Sequence, residues 1–182
     1  VEAPTTDIRV TSGNLIITGA SGSSTNDNLT ITLVSGTTIR ITDPSNPLVA
    51  GPGATQVDAN TVDVPLASVT GNIQVNTHDG DDLLTLALAG GDFIVAGGLV
   101  FDGGTGSDAL ALVGGTTTSQ TFNFTNNTDG SVVLAGAIAG TVDYIGLEPV
   151  SSTITTADVI LNYSDIAETI TMSANGAQTQ VD

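Results

Sequence analysis

The chain contains no cysteine, no tryptophan and no lysine. Without cysteine there is no disulfide framework, no thiol redox chemistry and no thiolate metal site. Arg9 and Arg40 stand alone against 19 acidic residues, for a formal net charge of −17. Phosphate backbones need Lys and Arg, so this balance excludes nucleic acid as a partner and disfavours anionic lipid. Aromatics are only 3% of the residues while hydrophobic residues are 40%, so any core must be built from Val, Ile, Leu and Ala. Thin aliphatic layers suit stacked strands better than an enzyme with a deep pocket. No apolar run approaches the roughly 20 residues that span a bilayer. No secretory leader is evident, and the chain opens on Val1, which reads as a processed product or a segment of something longer.

Short period-2 runs dominate what is present. Leu29-Thr30-Ile31-Thr32-Leu33, Thr38-Ile39-Arg40-Ile41 and Leu84-Thr85-Leu86-Ala87-Leu88 are typical. They are separated by Gly, Asn, Asp and Ser clusters, which marks many short strands and almost no helix. Four segments place an acid two residues before an aliphatic strand, at Asp27, Asp82, Asp108 and Glu168. Asp82 and Asp108 lie 26 positions apart in the sequence, within the roughly 20–30 residue period of one coil of a parallel β-solenoid. The expectation is an all-β, elongated repeat domain over 1–182, most simply a parallel β-solenoid (β-helix), with a β-sandwich as the alternative. Residues 72–115 are its clearest coils, and the Pro/Gly stretch 43–53 reads as a surface loop that interrupts strand patterning. The sandwich alternative would use hairpins such as Asn127-Thr128-Asp129-Gly130. No polar cap is evident at either end, and the first ten residues could pair with a neighbouring molecule's sheet edge.

Chemistry concentrates in two acidic turns. His78-Asp79-Gly80-Asp81-Asp82 offers Asp79, Asp81 and Asp82, and Asp102-Gly103-Gly104-Thr105-Gly106-Ser107-Asp108 offers Asp102 and Asp108. Ca²⁺ takes six to eight oxygens from carboxylates, carbonyls and water, and glycine lets carbonyls turn inward, so these five aspartates are candidate calcium ligands. Ordinary Asx and Gly turns would need no metal. Residues 103–111 fit the nonapeptide G-G-x-G-x-D-x-U-x at every position, and through it residues 72–115 resemble the calcium-binding repeats-in-toxin (RTX) motifs of secreted bacterial proteins. The Thr/Gly/Asp-rich strand pattern is similar to repeat regions of bacterial cell-surface and adhesin-like proteins. That resemblance implies an exported protein carrying Ca²⁺ at such turns.

Catalytic signals are weak. His78 is the sole histidine and no Gly-x-Ser-x-Gly elbow is present, so a nucleophilic relay has no support. The Asp81/Asp82 pair could serve a polysaccharide-active β-helix enzyme, yet the aromatic platforms and basic residues such sites recruit are nearly missing. Asn-x-Ser/Thr acceptor sequences stand at Asn28, Asn123, Asn126 and Asn162. The functional expectation is therefore non-enzymatic: a structural subunit or repeat of an extracellular bacterial assembly (filament, surface layer, matrix fibre or adhesin stalk). It would associate with copies of itself through exposed edges or ends, with Ca²⁺ at the acidic turns as the expected stabiliser. A Ca²⁺-dependent carbohydrate-binding adhesin module is the first alternative, and the polysaccharide-active enzyme the second.

Overall fold

The computed structural model describes residues 5–20 and 25–164, together with two short strands at 172–175 and 178–181. The protein is all-β, with two mixed sheets and, among the described residues, only two single-turn 3-10 segments at Leu66–Ser68 and Leu88–Gly90.

Four strand pairs form the frame. In the first sheet β2 (Asn14–Thr18), β8 (Ile73–Asn76), β10 (Leu99–Asp102) and β14 (Gly140–Ile145) lie parallel to their neighbours. In the second, β3 (Asn28–Val34), β9 (Leu83–Ala87), β11 (Ala109–Val113) and β15 (Val150–Ser152) do the same. β8, β10 and β14 each pass through a short connection into β9, β11 and β15, and the acidic turns at 77–82 and 103–108 lie side by side, the Thr105 N–H donating to the His78 carbonyl (2.8 Å). Alternation sets which side chains meet. Leu15, Ile73, Leu99 and Val142 are in register across the first sheet, and Leu29, Leu84 and Leu110 across the second. All seven are fully buried. Each such aliphatic side chain contributes about 1.5–3 kcal/mol by leaving water.

The remaining strands are insertions into this frame. β1 (Thr6–Thr11) pairs antiparallel with β2 and parallel with β5 (Leu48–Ala50). β4 (Thr38–Thr42), β7 (Thr61–Pro65) and β6 (Thr55–Asp58) continue the second sheet from β3 as an antiparallel meander. Beyond β14, the first sheet carries on through β13 (Gly130–Ala135), β12 (Thr116–Phe124) and β16 (Thr155–Asn162). β17 (Met172–Asn175) and β18 (Gln178–Val181) pair with each other.

Several expectations need adjusting. Between Asp27 and Asp82, strands β4 to β7 are inserted, and Asn28 pairs with Leu83 directly. The stretch 43–53 is not simply an excursion, because it carries edge strand β5 and the fully buried Asp43. β1 pairs within its own chain. The first-sheet edge at β5 is also sealed: the Gln56 amide accepts from the Ala50 N–H (2.8 Å) and donates to the Leu48 carbonyl (2.9 Å). The turn at 127–130 does join β12 and β13. The fourth acid segment, at Glu168, lies outside the described residues.

Candidate functional site

Stacking the corners of the frame separates the acidic residues into an inner column and an outer rim. Asp27, Asp82 and Asp108 each immediately precede a second-sheet strand, and the register Asn28–Leu83–Ala109 sets them above one another. Their side chains turn inward, and they are 4%, 2% and 0% exposed. Asp82 Oδ1 accepts the backbone N–H of Asp27 (2.7 Å), and Asp108 Oδ1 accepts that of Asp82 (2.9 Å). The Asp108 carbonyl then accepts from the N–H of Glu148 (2.7 Å). At the other end, Asn46 donates to Asp27 Oδ1 (3.0 Å), and Asp43 accepts the backbone N–H of Asn28 (3.0 Å).

Small residues facing the column make room for it. A Cβ placed on Gly103 would fall within 2.7 Å of three atoms of Asp108, and one on Gly19 would press on Asp27 Oδ2. Before Asp82 this position is taken by Thr77, whose hydroxyl donates to the Gly103 carbonyl (3.1 Å) and also lies against Asp82, whose pKa it lowers. Asp82 Oδ2 and Asp108 Oδ2 are buried.

Burial raises all three carboxyls above the usual aspartate range. Asp27 is pushed up to about 6, first by burial and then by the charges of Asp82 and Asp43, with Thr6 and Asn46 offsetting part of the rise. Asp82 and Asp108 are raised chiefly by burial, against the lowering effect of the backbone N–H each accepts. Both arginines are committed elsewhere: Arg9 to Asp7, and Arg40 to Asp63 through two hydrogen bonds of 2.7 and 2.8 Å.

The outer rim holds the other candidates. Asp79 accepts from the Thr105 hydroxyl (2.7 Å), and Asp81 accepts the N–H of Ser107 (3.0 Å) while its own N–H donates to Asn26 (2.9 Å). Asn26, Asp79, Asp81 and Thr105, with Gly80 and Gly106, line a shallow open depression of about 480 Å³. Asp102 sits apart, beside Asn76 (3.4 Å). His78 takes a left-handed backbone conformation at φ 69°, and its carbonyl accepts from the N–H of Thr105 (2.8 Å). A Cβ on Gly104 would collide with that same carbonyl oxygen.

The five predicted aspartates are therefore gathered into one corner region but not onto one point. Asp79 and Asp81 share the depression, Asp82 and Asp108 share the interior column, and Asp102 joins neither. Among the described residues no three His, Asp or Glu side chains come together in a way that could hold a metal ion. Asp82 and Asp108 each spend one oxygen on a backbone N–H, while Asp27 accepts from the Thr6 hydroxyl and the Asn46 amide. Sequence reading underrated Asp27, which the acid-before-strand pattern had marked, and missed Asp43, whose signal was the Asp-Pro-Ser-Asn turn. No family model matches the chain, and neither curated proteins nor solved structures give a match.

Proposed function

We propose that the chain is a structural unit of an extracellular assembly, built as a short parallel β-solenoid that associates with copies of itself through exposed strand edges. Four consecutive pairs of parallel strands, with aliphatic rows in register, support the solenoid reading. The observation that carries self-association is β16. It is the edge of its sheet, and six of its eight residues are exposed, including Val159 at 58% and Ile160 at 45%. An edge strand of this length with one charged side chain, Asp158, lacks the lysines and prolines that usually prevent strand addition. At the opposite end β6 is exposed along its whole length and carries Val57.

Electron microscopy across a concentration series tests this reading, with millimolar Ca²⁺ and with chelator because the nonapeptide resemblance implies calcium. Linear oligomers or fibres that lengthen with concentration are expected. Discrete particles at every concentration, in both media, would contradict it. They would favour the carbohydrate-binding alternative, for which the polar depression at Asn26, Asp79, Asp81 and Thr105 is the observation in hand.

A further inference from the structure

We propose that Asn126 is an N-glycan acceptor on the folded chain, and that the first sugar it carries stacks on the ring of Phe124. The Asn-x-Ser/Thr sequences stand at Asn28, Asn123, Asn126 and Asn162, and the fold separates one of them from the rest. Asn28, Asn123 and Asn162 lie within strands β3, β12 and β16. In an extended strand the residue two places on stands about 6.6 Å further along, so the hydroxyl of the sequence is carried away from the amide it has to assist. Asn123 and Asn162 also spend an amide hydrogen on a neighbour: Asn123 on the Ser131 hydroxyl (3.0 Å), and Asn162 on Asn123 Oδ1 (2.8 Å).

Asn126 is exposed in the turn between β12 and β13, where the Asp129 carbonyl accepts from the N–H groups of Thr125 (2.9 Å) and Asn126 (3.3 Å) and bends the chain back. Asn126 Oδ1 accepts the N–H of Thr128 (2.8 Å), the N–H of Asp129 (2.9 Å) and the hydroxyl of Thr128 (3.1 Å). Asn126 Nδ2 donates to the Asp129 carboxylate (2.8 Å). An amide nitrogen is a poor nucleophile until a proton is drawn from it. Donors on the oxygen make the N–H groups more acidic, and a carboxylate already holds one of them. The transfer is a displacement at the anomeric carbon of an oligosaccharide carried on a polyprenyl diphosphate. The bond from Nδ2 to C1 forms, and the bond from C1 to the diphosphate oxygen breaks. Its electron pair leaves with the diphosphate, and the Nδ2 proton passes to a base of the transferase.

Phe124 is the second observation. Aromatics are scarce in this chain, and Phe93, Phe101 and Tyr144 are buried. Phe124 ends β12 two residues before the acceptor and is only half-buried. Its ring lies in a row with Phe122 (centroids 6.3 Å apart, planes at 11°) and Tyr163 (5.0 Å, 19°). The face of an aromatic ring is negative, and the C–H groups along one side of a pyranose are positive, so a sugar on Asn126 gains by lying against it. The inference rests on the extracellular reading only for where the chain would meet the sugar donor. The acceptor geometry belongs to the folded chain and is read on dilute, unassembled protein, whether or not copies associate.

The test incubates the purified, folded chain with a lipid-linked oligosaccharide and a single-subunit oligosaccharyltransferase that needs only Asn-x-Ser/Thr. Peptide N-glycosidase then converts each modified Asn to Asp, and peptide mass spectrometry maps the sites. Asn126 should be occupied, with Asn28, Asn123 and Asn162 empty. Thr128→Ala should lose the modification and Thr128→Ser should keep it. Glycosylated wild type should melt about 2–4 °C above the unmodified chain, and Phe124→Ala should lose most of that gain. A folded chain left unmodified, occupancy at a strand position in place of Asn126, or an equal gain in Phe124→Ala would each overturn the proposal.

Discussion

Gly104 and Leu84 show how much one position decides here. Gly104 holds φ at 92°, and a side chain there would strike the carbonyl of His78 in the turn beside it. Gly104→Ala should therefore destabilise by at least about 2 kcal/mol, from left-handed strain plus a backbone collision, measured as a drop in the urea midpoint. Leu84, fully buried in the middle of its row, should lose about 2–5 kcal/mol on truncation to Ala. Asp63, beside Arg40, and Asp129, held by Asn126 and the N–H of Gly146, are both lowered. Their stabilisation is present above the unfolded value of about 3.9 and is lost below it. Their contribution should hence fall away below about pH 4, a loss visible in a single pH series of thermal melts.

Strand elements were legible in the sequence because their burial follows strict alternation. β3 runs Asn28–Val34 with every second residue buried, and the runs at 84–88 and 110–112 behave alike. The 26-residue spacing of Asp82 and Asp108 was legible as well, because each acid stands one residue before a strand and those two strands pair in parallel. The insertions were not legible. Nothing local says that Leu48–Ala50 will join β1, since a three-residue strand has no period to read, and its pairing is decided by contacts more than 35 residues away in sequence. The inward aim of Asp82 and Asp108 was also hidden. An acid in a Gly-rich turn looks solvent-facing until strand pairing places its Oδ1 on the N–H of the acid before the adjacent strand. Gln56 is the element-scale feature easiest to test. Gln56→Ala would free the Ala50 N–H and the Leu48 carbonyl, at a cost of about 0.5–1.5 kcal/mol. Hydrogen exchange at Ala50 should accelerate, and unchanged exchange there would mean the amide does not seal that edge.

At the scale of the molecule, the aliphatic rows and the charge pull in opposite directions. The buried cluster runs from Ile8 to Ile154 and holds the two sheets together, while a net charge of −17 keeps copies apart at low ionic strength. Association through β16 should consequently strengthen as salt screens that repulsion. The measurement that bears most directly on the whole account is sedimentation velocity over a concentration series at moderate salt, comparing wild type with Ile160→Asp, which places a second acid on the exposed edge. The account predicts wild-type species that grow with concentration and a variant that stays monomeric with an unchanged melting temperature. A monomeric wild type at all concentrations, or a variant that assembles as well as wild type, would contradict it.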